Sequence, residues 1–219
     1  MSQAPPLEPR FYELGELLEA YADAGFMFTD TAETPGPGLA SYLRIAARDP
    51  ARAVTAVRQI DELLSIGLFS EEIADDVEDL PHIRPPLGTS VEDCLRIARE
   101  HLNRFLEDPS RVPQMNPQNH WEWNERFPQL SQFLGAYLHQ NYSEFYASPE
   151  DAIDEYVVEH DPQVRTQAAQ EITELLTMVS SDQELHTATT ALGLDLLPPD
   201  GVSLQQWLEL MRQKITAAG

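Results

Sequence analysis

Apolar residues recur along this chain at intervals of three and four, the spacing that gathers one face of an α-helix, and show no sustained alternation of the kind a strand needs. In DPQVRTQAAQEITELLTMV, Val164, Ala168, Ile172, Leu175, Leu176 and Val179 keep that spacing, with Asp161 as the expected N-cap and Pro162 at the first helical position. Ser148-Pro149 opens another helix at PEDAIDEYVVEH, while Ser181 with Glu184, and Ser203 with Gln206, read as capping boxes ahead of two more. Gly193 and the cluster Pro198, Pro199 and Gly201 mark the loop before the last helix. The pattern predicts an all-α protein with about five helices in its second half.

The same pattern occurs twice. RFYELGELLEAY matches RFPQLSQFLGAY through Arg10/Arg126, Phe11/Phe127, Leu14/Leu130, Leu18/Leu134, Ala20/Ala136 and Tyr21/Tyr137. DPARAVTAVRQIDELL matches DPQVRTQAAQEITELL through Asp49/Asp161, Pro50/Pro162, Ala56/Ala168, Ile60/Ile172, Glu62/Glu174, Leu63/Leu175 and Leu64/Leu176. SEEI at Ser70 meets DQEL at Asp182, and Gly88, Ser90 and Leu95 meet Gly201, Ser203 and Leu208. Three blocks in one order, with the extra length of the first copy confined to the Pro- and Gly-bearing TDTAETPGPG, point to a duplicated unit rather than chance likeness of amphipathic helices. The expected organisation is two similar helical units of about five helices each, packed together: 9–109, a linker over 110–125, and 126–219. Trp121 and Trp123 fall in that Pro- and Asn-rich linker, so it is expected to be docked rather than free.

Composition narrows the function classes. Of 219 residues, 37 are acidic and 14 basic, a formal charge of -23 that repels nucleic acid and anionic lipid and attracts a basic partner. A hydrophobic fraction of 42% is that of a folded globule, which places the acidity on a surface. The single Cys94 excludes an intramolecular disulfide, and its counterpart Trp207 suggests that it packs as a small apolar group. MSQAPPLEPR lacks the features of a signal peptide and no segment has the length of a membrane span, so a cytoplasmic location is expected.

Catalytic motifs are missing: there is no GxSxG, phosphate-binding glycine loop, HExxH or CxxC, and the six histidines are scattered. A non-enzymatic protein without cofactor or metal is expected. Glu171 with Glu174 could suggest a carboxylate-metal helix, but the Glu-x-x-His partner is absent and the pair reads as a solvated face. The acids themselves are organised. Gln59 to Ile83 holds no Lys or Arg but includes Asp61, Glu62, Glu71, Glu72, Asp75, Asp76, Glu78 and Asp79. Phe127 to Val164 likewise holds none, while Glu144, Glu150, Asp151, Asp154, Glu155, Glu159 and Asp161 accumulate. Such stretches would steer a cationic protein partner, and the expected contact residues are Asp75, Asp76, Glu78 and Asp79 in the first unit and Glu150, Asp151, Asp154 and Glu155 in the second.

The block FPQLSQFLGAYLHQNYSEFYASPEDAIDEYV resembles the immunity proteins of contact-dependent growth inhibition systems, the CdiI type. The positions that carry the resemblance are Gly135, Tyr137, Leu138, His139, Gln140, Asn141 and Tyr142, then Ala152 and Ile153, Leu192 and Gly193, and Gly201, Trp207 and Leu208. Asn141 and Tyr142 stand where the family usually has Asp and Trp, and the first copy has Asp23, Ala24 and Gly25 in place of the His-Gln pair. The resemblance implies a protein that binds and neutralises a toxin delivered by a neighbouring bacterium, often a nuclease, whose phosphate-attracting cleft an acidic inhibitor could fill. The His-Gln-Asn turn reads better as the closure of a helix end than as a contact surface. Two other readings stay open from the residues: a helical adaptor presenting a groove to a peptide, and a carboxylate-metal enzyme.

Overall fold

The computed structural model describes residues 9–113 and 115–217. Among them the elements are α1 (Tyr12–Asp23), α2 (Pro37–Ala46), α3 (Pro50–Ile66), α4 (Ala74–Glu78), α5 (Val91–Glu107), α6 (His120–Arg126), α7 (Pro128–Tyr137), α8 (Pro149–Glu159), α9 (Pro162–Met178), α10 (Asp182–Ala191) and α11 (Leu204–Ala217). Extended pairing among the described residues is limited to one isolated bridge, Met27 with Arg84. The fold is all-α. The chain divides into two compact units, one running to Met115 and the other from Asn116.

In the first unit α3 lies against both α1 and α5, and α2 packs mainly on α1. Leu14, Leu17 and Tyr21 of α1, Ala56, Ile60 and Leu63 of α3, and Cys94, Leu95 and Leu102 of α5 form the buried face. In the second unit α9 lies against both α7 and α11, α8 packs on α7 and α11, and α6 on α7 and α10. Its core holds Leu130, Phe133 and Tyr137 of α7, Ala168, Ile172 and Leu175 of α9, and Trp207, Leu208, Met211 and Ile215 of α11. Residues paired in the sequence comparison are thus buried at the same places in the two three-helix frames.

The polar contacts of the frames also agree. The Leu14 N–H donates to Gln59 Oε1 at 2.7 Å in the first unit, and the Leu130 N–H donates to Glu171 Oε2 at 2.7 Å in the second. Arg10 Nε meets Glu62 at 2.8 Å, and Arg126 Nη2 meets Glu174 at 2.9 Å. Each of these guanidiniums also lies over the next ring in sequence, Phe11 at 5.5 Å and Phe127 at 5.4 Å from the centroid. Gly88 and Gly201, both before a serine-capped helix, have φ of 84° and 80°, a region open to glycine without strain.

Most helix starts follow the sequence reading. Ser148 and Ser181 accept from the N–H of Asp151 and Glu184, and Ser203 with Gln206 forms a reciprocal capping box at 3.2 and 3.1 Å. Two details differ. Asp161 precedes α9 but its carboxylate makes no capping bond, only its backbone carbonyl accepting from Arg165 N–H, whereas the equivalent Asp49 does cap, accepting from Ala51 N–H at 3.2 Å. The stretch read as linker contains α6, which buries Trp121 and Trp123 in the second unit and is capped by Asn119. Seven residues are too few for a persistent apolar period, which is why the spacing rule passed over this helix.

Candidate functional site

The two acidic stretches differ once long-range partners are counted. In the first unit Asp75, Asp76, Glu78 and Asp79 are exposed on and just beyond α4. Arg10, far away in sequence, bridges Glu62 at 2.8 Å, Asp76 at 3.4 Å and Glu72 at 3.5 Å, and Arg99 meets Asp61 at 2.6 Å. Asp75 and Asp79 line a shallow groove with Tyr12, Glu16 and Leu80, floored by Gly15 of α1. Two guanidiniums from outside the stretch thus meet four of its eight acids, Asp61, Glu62, Glu72 and Asp76, which local sequence does not suggest.

The second stretch keeps more of its charge. Glu150, Asp151, Asp154 and Glu155 are exposed on α8. Lys214 of α11 reaches Asp154 at 2.9 Å and also donates to the Glu150 carbonyl, and Asp151 accepts from the Ser148 hydroxyl at 2.8 Å. Among the described residues no cation pairs with Glu144, Asp151, Glu155 or Glu159. Glu159 accepts from the Tyr137 hydroxyl at 2.5 Å, and this bond, added to burial as the main cause, pushes the Tyr137 phenol well above its ordinary range.

The motif residues of the second unit have structural work. Tyr137 is buried among Phe133, Tyr146, Tyr156 and His160. His139 Nδ1 accepts the Asn141 N–H at 3.1 Å, closing the turn after α7, while Gln140 is exposed. Gly135 lets the end of α10 approach: a Cβ at Gly193, whose φ is 92°, would stand 2.6 Å from Gly135 Cα. Trp207 is 3% exposed in the core. Cys94 is buried as expected, and burial, then the carboxylates of Asp30 and Asp93, push its thiol up to about 11.

Glu171 and Glu174 do not form the solvated pair expected of them. Glu174 is half-buried against Arg126, and Glu171 is buried, accepting from Leu130 N–H and Gln167 Nε2. Burial raises the Glu171 carboxyl above its usual range, partly offset by those hydrogen bonds. Among the described residues no group of three or more His, Cys, Asp or Glu side chains is placed to hold a metal ion, and no helix is long and apolar enough to cross a membrane.

One exposed cluster escapes the sequence reading. Between α7 and α8, the Phe145 ring is 71% exposed and touches His139 and Tyr146, with ring centroids 6.4 and 6.5 Å away. Tyr146 is half-buried against Tyr137 at 6.3 Å. The signal available was the aromatic density of YSEFY in a stretch too short for a full helix.

Comparison with known proteins gives a family-model match. Residues 126–215 fit the family model of the CdiI immunity protein, a span that runs from the end of α6 into α11. No curated protein and no solved structure matches the chain.

Proposed function

Residues 126–215 match the family model of the CdiI immunity protein, and from that premise we propose that the chain binds a cognate protein toxin with a basic surface, a nuclease, and blocks it. The family match is the observation that carries this reading. The charge of -23 supports the sign of the partner, and the carboxylates of the second unit left without internal cations support its place. A nuclease cleft built to attract phosphate would attract the same carboxylates. Delivery of that toxin by contact-dependent inhibition or a related secretion route is part of the proposal.

In this reading the contact residues of the second unit are Glu150, Asp151, Asp154 and Glu155, and those of the first are Asp75, Asp76, Glu78 and Asp79. The first unit is a diverged copy of the second. Support comes from the paired contacts Leu14 to Gln59 and Leu130 to Glu171, and Arg10 to Glu62 and Arg126 to Glu174, which chance likeness of helices does not supply.

The test is to produce the chain together with the toxin domain encoded by the adjoining gene. Survival of those cells and a complex that weakens as salt rises are expected. Cells that die although the chain is present at the toxin's level would refute the proposal.

A further inference from the structure

Phe145 is a large apolar ring with most of its surface open, touching His139 and Tyr146, and carboxylates lie close to that pair. Glu144 precedes it in the chain. Burial and then the Glu155 and Glu159 carboxylates raise the neighbouring Tyr146 phenol, which sets both acids near that hydroxyl. No Lys or Arg occurs from Phe127 to Val164. No cationic side chain among the described residues lies over the Phe145 ring.

The first unit shows what such a ring takes. The loop after α1, at the place equivalent to the loop after α7, carries the exposed Phe26, and the Arg84 guanidinium lies 5.8 Å from its centroid. Backbone bonds hold that arginine there: Arg84 N–H donates to the Phe26 carbonyl at 2.7 Å, and Phe28 N–H to the Arg84 carbonyl at 3.1 Å. Among the described residues, the other rings that carry a cation, Phe11, Tyr42 and Phe127, carry arginine as well. Planar guanidinium stacks on an aromatic face while keeping its N–H groups for carboxylates, a combination that ammonium matches less well.

Resting on the toxin-binding reading, we propose that the Phe145–Tyr146 surface of the second unit anchors the toxin by receiving an arginine side chain from its basic face, with Glu144, Glu155 and Glu159 as counter-charges. An exposed aromatic centre with an acidic rim is the arrangement in which a single inserted arginine carries much of an interface's energy. In the first unit the exposed ring of the corresponding loop, Phe26, already carries that unit's own Arg84, so this anchor belongs to the second unit alone.

The probe is an octa-arginine peptide, titrated at low salt into the isotope-labelled full chain and followed by backbone amide shifts. The largest shifts are expected at His139, Phe145 and Tyr146. Phe145→Ala should weaken binding about fivefold, Phe145→Trp should keep it, and Phe145→Leu, apolar but without a π face, should behave like Phe145→Ala. Because Phe145 is 71% exposed, these variants should unfold at the wild-type denaturant concentration. Equal or larger shifts at Asp75 to Asp79, or wild-type affinity in Phe145→Leu, would overturn the proposal. In cells producing the toxin, Phe145→Ala should protect less well than wild type. Full protection by Phe145→Ala removes this anchor and leaves the immunity reading standing, whereas wild-type chain that fails to protect removes that reading itself.

Discussion

Replacing Glu171 separates a buried acceptor from a buried charge. Its Oε2 receives the Leu130 N–H at 2.7 Å near the start of α7, a donor that the helix itself cannot satisfy. Glu171→Ala leaves that N–H buried without its partner, at a cost of about 1–3 kcal/mol. Glu171→Gln keeps an acceptor in place, as Gln59 does for Leu14 in the first unit, where the same amide also donates to the Arg10 carbonyl at 3.1 Å. The expectation is a change within about 1 kcal/mol for the glutamine variant. All three tryptophans, Trp121, Trp123 and Trp207, lie in the second unit and are buried, so indole fluorescence during urea unfolding reports that unit selectively. With an m-value of about 1–3 kcal/mol per molar, a loss near 2 kcal/mol lowers the midpoint by about 1 M.

The pH dependence has a definite sign. Burial holds the Glu171 carboxyl above 4.5, so its contribution is fully present below that value and declines as pH rises through the higher folded-state pKa. Glu171→Gln should therefore gain on wild type between acid and neutral pH. Identical midpoints for Glu171→Ala and wild type, or a glutamine variant as unstable as the alanine one, would refute the reasoning.

Three further outcomes follow from the geometry. Gly193→Ala must place a Cβ 2.6 Å from Gly135 Cα at a φ of 92°, and should lose at least about 2 kcal/mol by the same fluorescence measurement, more than Gly135→Ala, whose Cβ finds ordinary contacts at 3.8 Å. Glu13→Ala removes one acceptor from Arg52, at 2.8 Å, and from the Tyr42 hydroxyl, at 2.7 Å, in a mostly buried cluster; the first unit should lose about 1–3 kcal/mol, read as lost amide-exchange protection of α1 to α3. Cys94, buried and with its thiol pushed up to about 11, should resist a thiol reagent at pH 8 until the chain is unfolded; rapid labelling of native protein would contradict its burial.

The sequence made the helical frame legible because the information is local. Ala168, Ile172 and Leu175 report a buried stripe by spacing alone, and Ser148, Ser181 and Ser203 mark starts through a bond spanning three residues. Glu171 was misread because a glutamate on the edge of such a stripe looks the same whether it faces water or an orphan N–H 41 residues away. The acidic stretches were counted correctly, but Arg10 and Lys214 act on them from 66 and 60 residues away, which no local window contains. Phe145 was missed for a related reason: composition gives a ring a core preference, and its exposure is set by tertiary packing that no local window contains.

The mismatch between Cys94 and Trp207 bears on how a chain with two like frames folds to the right one. Tandem repeats are prone to exchanging equivalent helices during folding. At the third helix of each frame the first unit places Cys94 and Ala98, and the second Trp207 and Met211, all buried. An α11 laid onto α3 would force an indole into space shaped around a thiol, and an α5 laid onto α9 would leave a void the size of the missing ring. Unequal side-chain volumes thus act as a key that keeps each helix with its own partner, and Cys94→Trp paired with Trp207→Cys would test whether that key can be turned.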